Sequence, residues 1–492
     1  MENKELITSL SSPEFYPHRP CRVEHIQTHI SHVFLAGDLV YKLKKPLDLG
    51  FLDFSSLEKR RFYCQEEIRL NRRLAPETYL RVEAVIREGC GSLRLAPEEP
   101  PGRAVDYCVV MKRLPRDRLL SSLLNKEAVD SAAMDFIAQR LVSFHRQSEV
   151  DPGLSPEREL EYTRRNLEEN FSQTEAFVGA LISQRAFDKV RSFSRDRLRD
   201  KAELFRQRVE EQRIKEGHGD LRSEHICLLE QEIVIFDCIE FNERFRYLDV
   251  AAEVGFLAMD LDFLGHPGLA RDFVSAYVDR SGDQAILELL QFYKCYYAYT
   301  RGKVAGIRSQ ESELQQQQKE AEDEAVRYFE LAYAYALRPQ RPLLLIMSGL
   351  MGSGKSRLAG ELAFYLDAAL LRSDVLRKEM LGLDPESAHP ESFGQGIYDP
   401  EITDRVYREL LERSREYLAQ GRSVILDASF SRSKKRLQAW ELARQTGAGF
   451  GVLECSCPES ELQRRLARRA SKENDPSDGR PELLKEQADR KS

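Results

Sequence analysis

Residues Leu343-Leu-Leu-Ile-Met-Ser348 run straight into Gly349-Leu-Met-Gly-Ser-Gly-Lys-Ser356. The apolar run predicts a buried strand, and Arg357 to Leu366 has the pattern of a helix. Between them, two glycines five positions apart precede Lys and Ser, which is the phosphate-loop pattern. Each residue type in it has a physical task. Gly349, Gly352 and Gly354 let the backbone turn tightly and approach an anion without a Cβ in the way. The loop amides, that of Ser353 included, then form a nest for phosphate oxygens, and the following helix adds its positive end. Lys355 is placed to reach the outer phosphates of a nucleotide, and Ser356 to ligate Mg²⁺. A strand, this loop and a helix in that order demand an α/β layer around them.

The loop lies late in a chain of 492 residues, long enough for two or three domains. Hydrophobic residues at 42% and charged residues at 32% give a globular balance with material for cores. A net charge of −7 argues against a general nucleic-acid surface. No apolar run is long enough to span a bilayer. The start, Met1-Glu-Asn-Lys-Glu-Leu-Ile-Thr8, lacks the apolar core of a signal peptide. Nine scattered cysteines without a CxxC pair suit reduced thiols, so the expected compartment is the cytoplasm. Cys455-Ser-Cys457 reads as the end of a strand, since a zinc site needs more ligands than its neighbourhood holds.

Residues 33–45 predict a hairpin, with β-rich runs on either side of Gly37-Asp38. In its second run, Leu39-Val-Tyr-Lys42 has the form of a strand that presents a phosphate-pairing lysine. A helix over Leu57 to Leu74 carries Glu66 and Glu67, either of which can pair with Lys42 and aim it. Strands are expected over 79–88 and 105–114, with Met111-Lys-Arg-Leu114 as a hinge to a larger lobe. From Asp130 to about Gln212 the apolar residues keep helical spacing. Then comes His218-Gly-Asp-Leu-Arg-Ser-Glu-His225, and after it Glu232-Ile-Val-Ile-Phe-Asp237. A kinase catalytic loop has His, Asp and Leu where His218, Asp220 and Leu221 stand, and Asn where His225 stands. Asp220 is therefore the candidate base for an acceptor hydroxyl, and the strand-end Asp237 the candidate metal ligand. Helices are expected over 283–337, until Pro339-Gln-Arg-Pro342 breaks the pattern and marks a domain boundary.

His218-Gly-Asp-Leu221, Asp237 and Tyr41-Lys42 together resemble the aminoglycoside phosphotransferase family of kinase-like enzymes, over roughly residues 20–335. The resemblance implies a small β lobe, a helical lobe, and ATP with Mg²⁺ between them. It also implies phosphorylation of a hydroxyl on a small molecule. Lys42 then matches the phosphate lysine, Asp220 the catalytic aspartate and Asp237 the metal aspartate. Two positions depart from the pattern. His225 occupies the place of a metal-binding Asn, and imidazole is a poor ligand for hard Mg²⁺. Thr28-His-Ile-Ser-His-Val33 occupies the place of a glycine-rich turn.

After the phosphate loop, helices alternate with short strands, as in a parallel α/β sheet. Ala368-Ala-Leu-Leu-Arg-Ser-Asp374 predicts a second strand with Asp374 at its carboxyl end, where ligands sit in such sheets. Asp374 is the candidate group to take an acceptor proton, and Arg377 to hold the acceptor or its phosphate. Helix capping by Ser373 or Asp374 is compatible with that role. Residues 384–400 read as a loop long enough to cover a site. A helix over Thr403 to Ala419 precedes the apolar strand Ser423-Val-Ile-Leu-Asp427, whose aspartate suits a Mg²⁺ partner of Walker-B type. The helix after Pro458 carries Arg464, Arg465, Arg468 and Arg469. Arginines there either neutralise transferring phosphate or form a solvated basic face.

Gly349 to Ser356, Ser373-Asp374 with Arg377, Asp427, and Arg465 with Arg469 resemble, in that order, the small P-loop kinases. That group includes gluconate kinase, chloramphenicol phosphotransferase, zeta toxins and the kinase part of polynucleotide kinase. The order of the two halves also resembles a bacterial family that joins an aminoglycoside-phosphotransferase-like domain to a P-loop ATPase or kinase domain. The expected architecture is an α+β kinase-like bilobal domain over 1–338, with lobes of about 20–114 and 115–338. A linker at 339–342 leads to an α/β P-loop domain with a mainly parallel sheet over 343–492. The expected function is ATP- and Mg²⁺-dependent phosphoryl transfer to a small-molecule hydroxyl, with no signal for oligomeric state. The alternative is an ATP-hydrolysing switch with an inactive kinase-like receptor domain. A kinase for nucleic-acid ends has only the arginine helix in its favour.

Overall fold

The computed structural model describes residues 2–50, 52–89, 91–97, 103–230, 232–311, 314–339, 341–384 and 396–470. It divides into two compact units, 1–332 and 333–492, at a point inside the helix Gln315–Leu337.

The first unit opens with a six-stranded sheet: β1 (Val23–Gln27), β2 (Ser31–Ala36), β3 (Leu39–Lys44), β4 (Tyr79–Arg87), β5 (Leu93–Pro97) and β6 (Ala104–Lys112). The strand order is β1-β2-β3-β6-β4-β5, and every pair is antiparallel. β2 and β3 form the predicted hairpin, with Gly37 at φ 65 in its turn. β1 and β5 are too short and too polar to have been legible as strands. Side-chain alternation assigns the two faces. Phe34, Ala36, Tyr41 and Leu43 pack with Leu6, Leu10 and Tyr16 from the N-terminal segment. Leu35, Val40, Val82 and Val109 pack on the other face with Cys64 and Ile68 of the helix Leu57–Asn71. Ser56 caps that helix by accepting from Lys59 N at 3.2 Å. Because the period is two, Lys42 and Lys44 share the face of Val40 and look toward this helix, which carries Glu67.

The rest of the unit is helical, from Ser131–Gln147 to Gln315–Leu337. Its centre is Val250–Phe263, buried at every position from Val250 to Leu261. A helix buried all round is apolar all round, so its two buried acids, Glu253 and Asp260, need partners within the protein. Two short antiparallel ribbons hold the segment between them in place: Ile214–Glu216 with Tyr247–Asp249, and Ile226–Leu228 with Ile233–Ile235.

The second unit has a four-stranded sheet in the order Ala369–Arg372, Val424–Asp427, Leu343–Ser348, Gly449–Glu454, all parallel. Leu344, Ile346 and Leu426 pack on one face against helices Pro400–Ala419 and Ser433–Thr446. Met347 and Ile425 pack on the other against Ala359 and Leu362 of Lys355–Leu366. Two element ends differ from expectation. The strand predicted to reach Asp374 stops at Arg372, and Ser373 and Asp374 open the helix Ser373–Met380. The helix expected from Thr403 begins at Pro400, because Asp399 accepts from Glu401 N at 2.8 Å and proline suits a first turn. No helix among the described residues is long and apolar enough to cross a membrane. The described cysteines, Cys455 and Cys457 among them, are free thiols.

Candidate functional site

In the first unit two lysines and three carboxylates form one network, buried except at Asp237, whose side chain is 40% exposed. Lys42 Nζ lies 2.9 Å from Glu67 Oε1 and also donates to Asp237 Oδ1. Lys44 Nζ lies 2.7 Å from Glu67 Oε2 and bonds Glu240 as well. Glu66, the other acid considered for Lys42, pairs with Arg69 at 2.8 Å instead. Burial pushes the Lys42 ammonium down, but Asp237 and Glu67 outweigh it and hold the group well above the ordinary lysine range. Burial pushes Glu67 up, and the two lysines reverse this, so its carboxyl lies below the usual range. Glu240 is raised, since burial there exceeds what Lys44 restores. Charges buried this deeply persist only as a matched set.

Asp237 follows the strand Ile233–Ile235 at φ 63, a left-handed conformation that Asp tolerates better than most residues. Its N–H donates to the Tyr79 hydroxyl at 3.1 Å. The segment His218–His225 lies beside it, held from below. Glu253 accepts from the backbone N–H groups of His218 and Gly219 at 2.5 and 2.7 Å, and its other oxygen meets His145 Nε2 at 2.6 Å. Asp260 accepts from Ser223 N at 2.8 Å. His218 is neutral, burial having pushed it to about 4. Its Nε2–H donates to the Phe236 carbonyl at 2.8 Å, and its Nδ1 accepts from Asp220 N at 3.2 Å. The ring thus ties the loop to the strand that ends at Asp237.

Asp220 accepts from Arg222 Nε and Nη2, both at 3.0 Å. Burial raises its pKa, and Arg222 and His225 outweigh that, leaving it well below the carboxylate range. His225 donates from Nδ1 to the Asp220 carbonyl at 2.8 Å, which leaves Nε2 3.6 Å from Asp237 Oδ2. The fold therefore brings Lys42, Glu67, Asp220, His225 and Asp237 into one neighbourhood from three separate stretches of chain. Among the described residues no three or more His, Cys, Asp or Glu side chains are grouped to hold a metal by themselves.

In the second unit the phosphate loop leaves the central pair of parallel strands. Gly349, Gly352 and Gly354 have φ of 139, 77 and 95, all in the region that disfavours side chains. A Cβ on Gly349 would stand 2.2 Å from the Cys455 carbonyl oxygen. Gly354 caps Lys355–Leu366, so the first helical amides open onto the loop. Lys355 Nζ rests on the Leu350 carbonyl at 2.8 Å. Ser353 is buried, and its hydroxyl has no hydrogen-bond partner. An orphaned hydroxyl within a glycine cradle fits a phosphate oxygen. Ser356 sits in the first turn of the helix, and Asp427 ends the neighbouring strand, buried and 3.3 Å from Arg372 Nε. A hydroxyl and a carboxylate are oxygen donors of the kind that Mg²⁺ takes.

The helix Glu459–Ala470 packs on this loop. Leu462 and Leu466 meet Leu350 and Met351, and a Cβ on Gly352 would lie 3.1 Å from Leu466. That packing sets Arg465 beside the cradle, its Nη1 3.5 Å from where a Gly354 Cβ would be, while Glu461 accepts from its Nε at 2.7 Å. The side chain of Arg469 lies outside the described residues. Arg377 is buried: its Nη1 donates to the Ile397 carbonyl at 2.8 Å and to Thr403 at 3.2 Å, and its guanidinium lies 4.7 Å over the Tyr398 ring. It braces the segment before Pro400. Asp374 occupies the first turn of Ser373–Met380. Of the expected cover loop 384–400, residues 385–395 lie outside the described residues.

Sequence reasoning missed Lys44, Glu240, Glu253, Asp260, Arg222 and Arg372. Lys44 had a signal, since it repeats Lys42 at the strand period of two. The acids of Val250–Phe263 stood out as charges in an apolar stretch. Arg372 and Asp427 meet only because their strands are in register.

Residues 344–491 match the model of a family described as an AAA domain. A gluconokinase from Sinorhizobium meliloti is 20% identical, over 31% of this chain and 77% of that one, with a TM-score of 0.23. A choline kinase from Cryptosporidium parvum is 12% identical, over 68% of this chain and 94% of that one, with a TM-score of 0.40. Uncharacterized proteins of Mycobacterium tuberculosis and Mycobacterium bovis are 30% identical over 449 residues, covering 91% of this chain and 86% of theirs. At that identity over most of both chains, this chain belongs to the family that these mycobacterial proteins represent.

Proposed function

We propose that the protein is an ATP-dependent phosphotransferase that acts on a hydroxyl of a small molecule. The observation that carries this reading is the phosphate loop: three glycines at positive φ, an orphaned Ser353 hydroxyl, and Asp427 on the adjoining parallel strand. In that unit the loop amides and Lys355 hold the phosphates, Ser356 and Asp427 hold Mg²⁺, and Arg465 neutralises charge over the loop. Asp374 takes the acceptor proton. Arg377 fixes the segment that flanks it, and Arg469 joins Arg465 as a second cation on the same helix. ATP supplies the phosphoryl group, and Mg²⁺ the charge that neutralises it. Lys355→Ala tests the assignment: nucleotide binding by this unit is expected to fall at least about 100-fold, and unchanged binding would sink it.

In the first unit the same reading gives Lys42 the nucleotide phosphates, Glu67 the aiming of Lys42, Asp237 the metal, with His225 beside it, and Asp220 the acceptor hydroxyl. A second reading has its own support. The bidentate grip of Arg222 on Asp220 and the imidazole at 225 suit a receptor whose occupancy tunes ATP hydrolysis by the second unit. Turnover that rises with an acceptor and yields a phosphorylated acceptor separates the two. ATP hydrolysed at the same rate with no phosphorylated product favours the receptor.

A further inference from the structure

Arg372 ends the strand Ala369–Arg372 in the second unit and stands directly across from Asp427 in the parallel pairing. Side-chain alternation fixes the face on which both lie. Leu370 and Ile425, two positions earlier on each strand, pack with Ala359 and Leu362 of the helix Lys355–Leu366. Arg372 and Asp427 therefore project to that same face, one step nearer the carboxyl end of the sheet. In the neighbouring strand Ile346 pairs with Leu426, which sets Met347 level with Asp427 and the glycine loop from Gly349 just beyond it. One turn before Ala359 in the helix stand Lys355 and Ser356. The phosphate loop, the first helical turn and the Arg372–Asp427 pair thus share one end and one face of the sheet.

Arg372 Nε lies 3.3 Å from Asp427 Oδ2, and its side chain is 28% exposed against 6% for Asp427. The guanidinium, unlike its partner, is within reach of a ligand. The other arginines of this unit's site are committed elsewhere: Arg377 to the Ile397 carbonyl and Thr403, Arg465 to Glu461. Arg372 is committed to an acid that the proposed function assigns to Mg²⁺, which bridges the outer phosphates of a nucleotide. The planar fork of an arginine fits phosphate oxygens as it fits a carboxylate. We propose that Arg372 is a catalytic residue of the second unit that binds the γ-phosphoryl group of ATP and neutralises it during transfer. In that step the bond from the γ-phosphorus to the β,γ-bridging oxygen breaks and the bond to the acceptor oxygen forms. The acceptor proton goes to Asp374, ADP leaves, and Arg372 holds a non-bridging oxygen throughout. The inference rests on the phosphotransferase reading of this unit, with Asp427 as the metal's ligand, and the two are tested apart.

The test is calorimetric titration of the full chain with ADP and with an ATP analogue whose β,γ-bridge is an imido group, each with Mg²⁺. The binding event that Lys355→Ala removes reports the second unit. In that event Arg372→Gln is expected to weaken the analogue about tenfold or more and ADP less than about twofold, and Arg372→Lys to restore part of the loss. A merely structural role would lower both affinities together. Equal weakening of the two nucleotides, or no change in either, overturns the proposal. Asp427→Asn judges the reading beneath it, and should remove the dependence of nucleotide affinity on Mg²⁺. If that dependence persists while Arg372→Gln still separates the analogue from ADP, the metal assignment falls and the γ-phosphate contact stands. If Lys355→Ala removes no binding event, both fall.

Discussion

The proposed function gives each unit a lysine for phosphate, and the two units hold that lysine in opposite ways. Lys42 sits among carboxylates, with Glu67 and Asp237 in contact and Lys44 and Glu240 completing the set. Lys355 leans on the Leu350 backbone carbonyl, within a loop whose chemistry is mostly amide and glycine. In the first unit geometry is fixed by matched buried charges, so stability and function share the same atoms. In the second it is fixed by backbone conformation, and the side chains are closer to spectators of the fold. Substitution should therefore separate function from stability in the second unit and entangle them in the first.

The largest expected effect lies on the side of stability. Lys44 is wholly buried between Glu67 and Glu240, so Lys44→Ala leaves Glu240 uncompensated and Glu67 with Lys42 alone, and should cost about 3–5 kcal/mol in denaturant unfolding of the first unit. Lys355→Ala, by contrast, should lose nucleotide binding by about 100-fold or more, equivalent to about 2.7 kcal/mol, with the unfolding transition in place. Equal destabilisation by both would break the comparison. Gly349→Ala sharpens it, because there the backbone itself is the device. Its Cβ would meet the Cys455 carbonyl at 2.2 Å, so about 1–3 kcal/mol of strain should accompany the loss of ATP binding. Arg465 is 48% exposed, and Arg465→Ala should slow turnover about tenfold while unfolding moves by less than about 0.5 kcal/mol.

A pH dependence in the first unit completes the comparison. His218 is held neutral, with its pKa lowered to about 4 from an ordinary value near 6.5. Between those values the unfolded chain binds a proton that the folded one refuses. The stability present above pH 6.5 is therefore lost progressively as pH falls toward 4. Unfolding free energy followed from pH 7 to 4.5 should decline, and His218→Asn should shallow the slope by about one proton. An unchanged slope would mean that the imidazole is not held buried in its neutral form.

Legibility in the sequence followed the same division. The phosphate loop was readable because a glycine pattern encodes backbone conformation directly, and the strand before it and the helix after it formed where the pattern placed them. The hairpin that presents Lys42 was readable for the same reason, through Gly37-Asp38 and alternation. What escaped was long-range pairing. Glu67 and Glu66 were equivalent on paper; only the helix's rotation against the sheet turns Glu67 toward Lys42 and Glu66 toward Arg69. Glu240 reaches Lys44 across 196 positions, and Glu253 reaches His218 across 35. Asp374 was placed at a strand end, whereas the strand stops at Arg372 and pairs that residue with Asp427 instead.

The central claim is that this chain carries a working nucleotide site in its P-loop unit beside a second one in its kinase-like unit. Calorimetric titration of ATP with Mg²⁺ into the wild type, Lys355→Ala and Lys42→Ala tests it most directly. The account predicts that each substitution removes one distinct binding event and leaves the other. Identical binding in the wild type and in Lys355→Ala would contradict it.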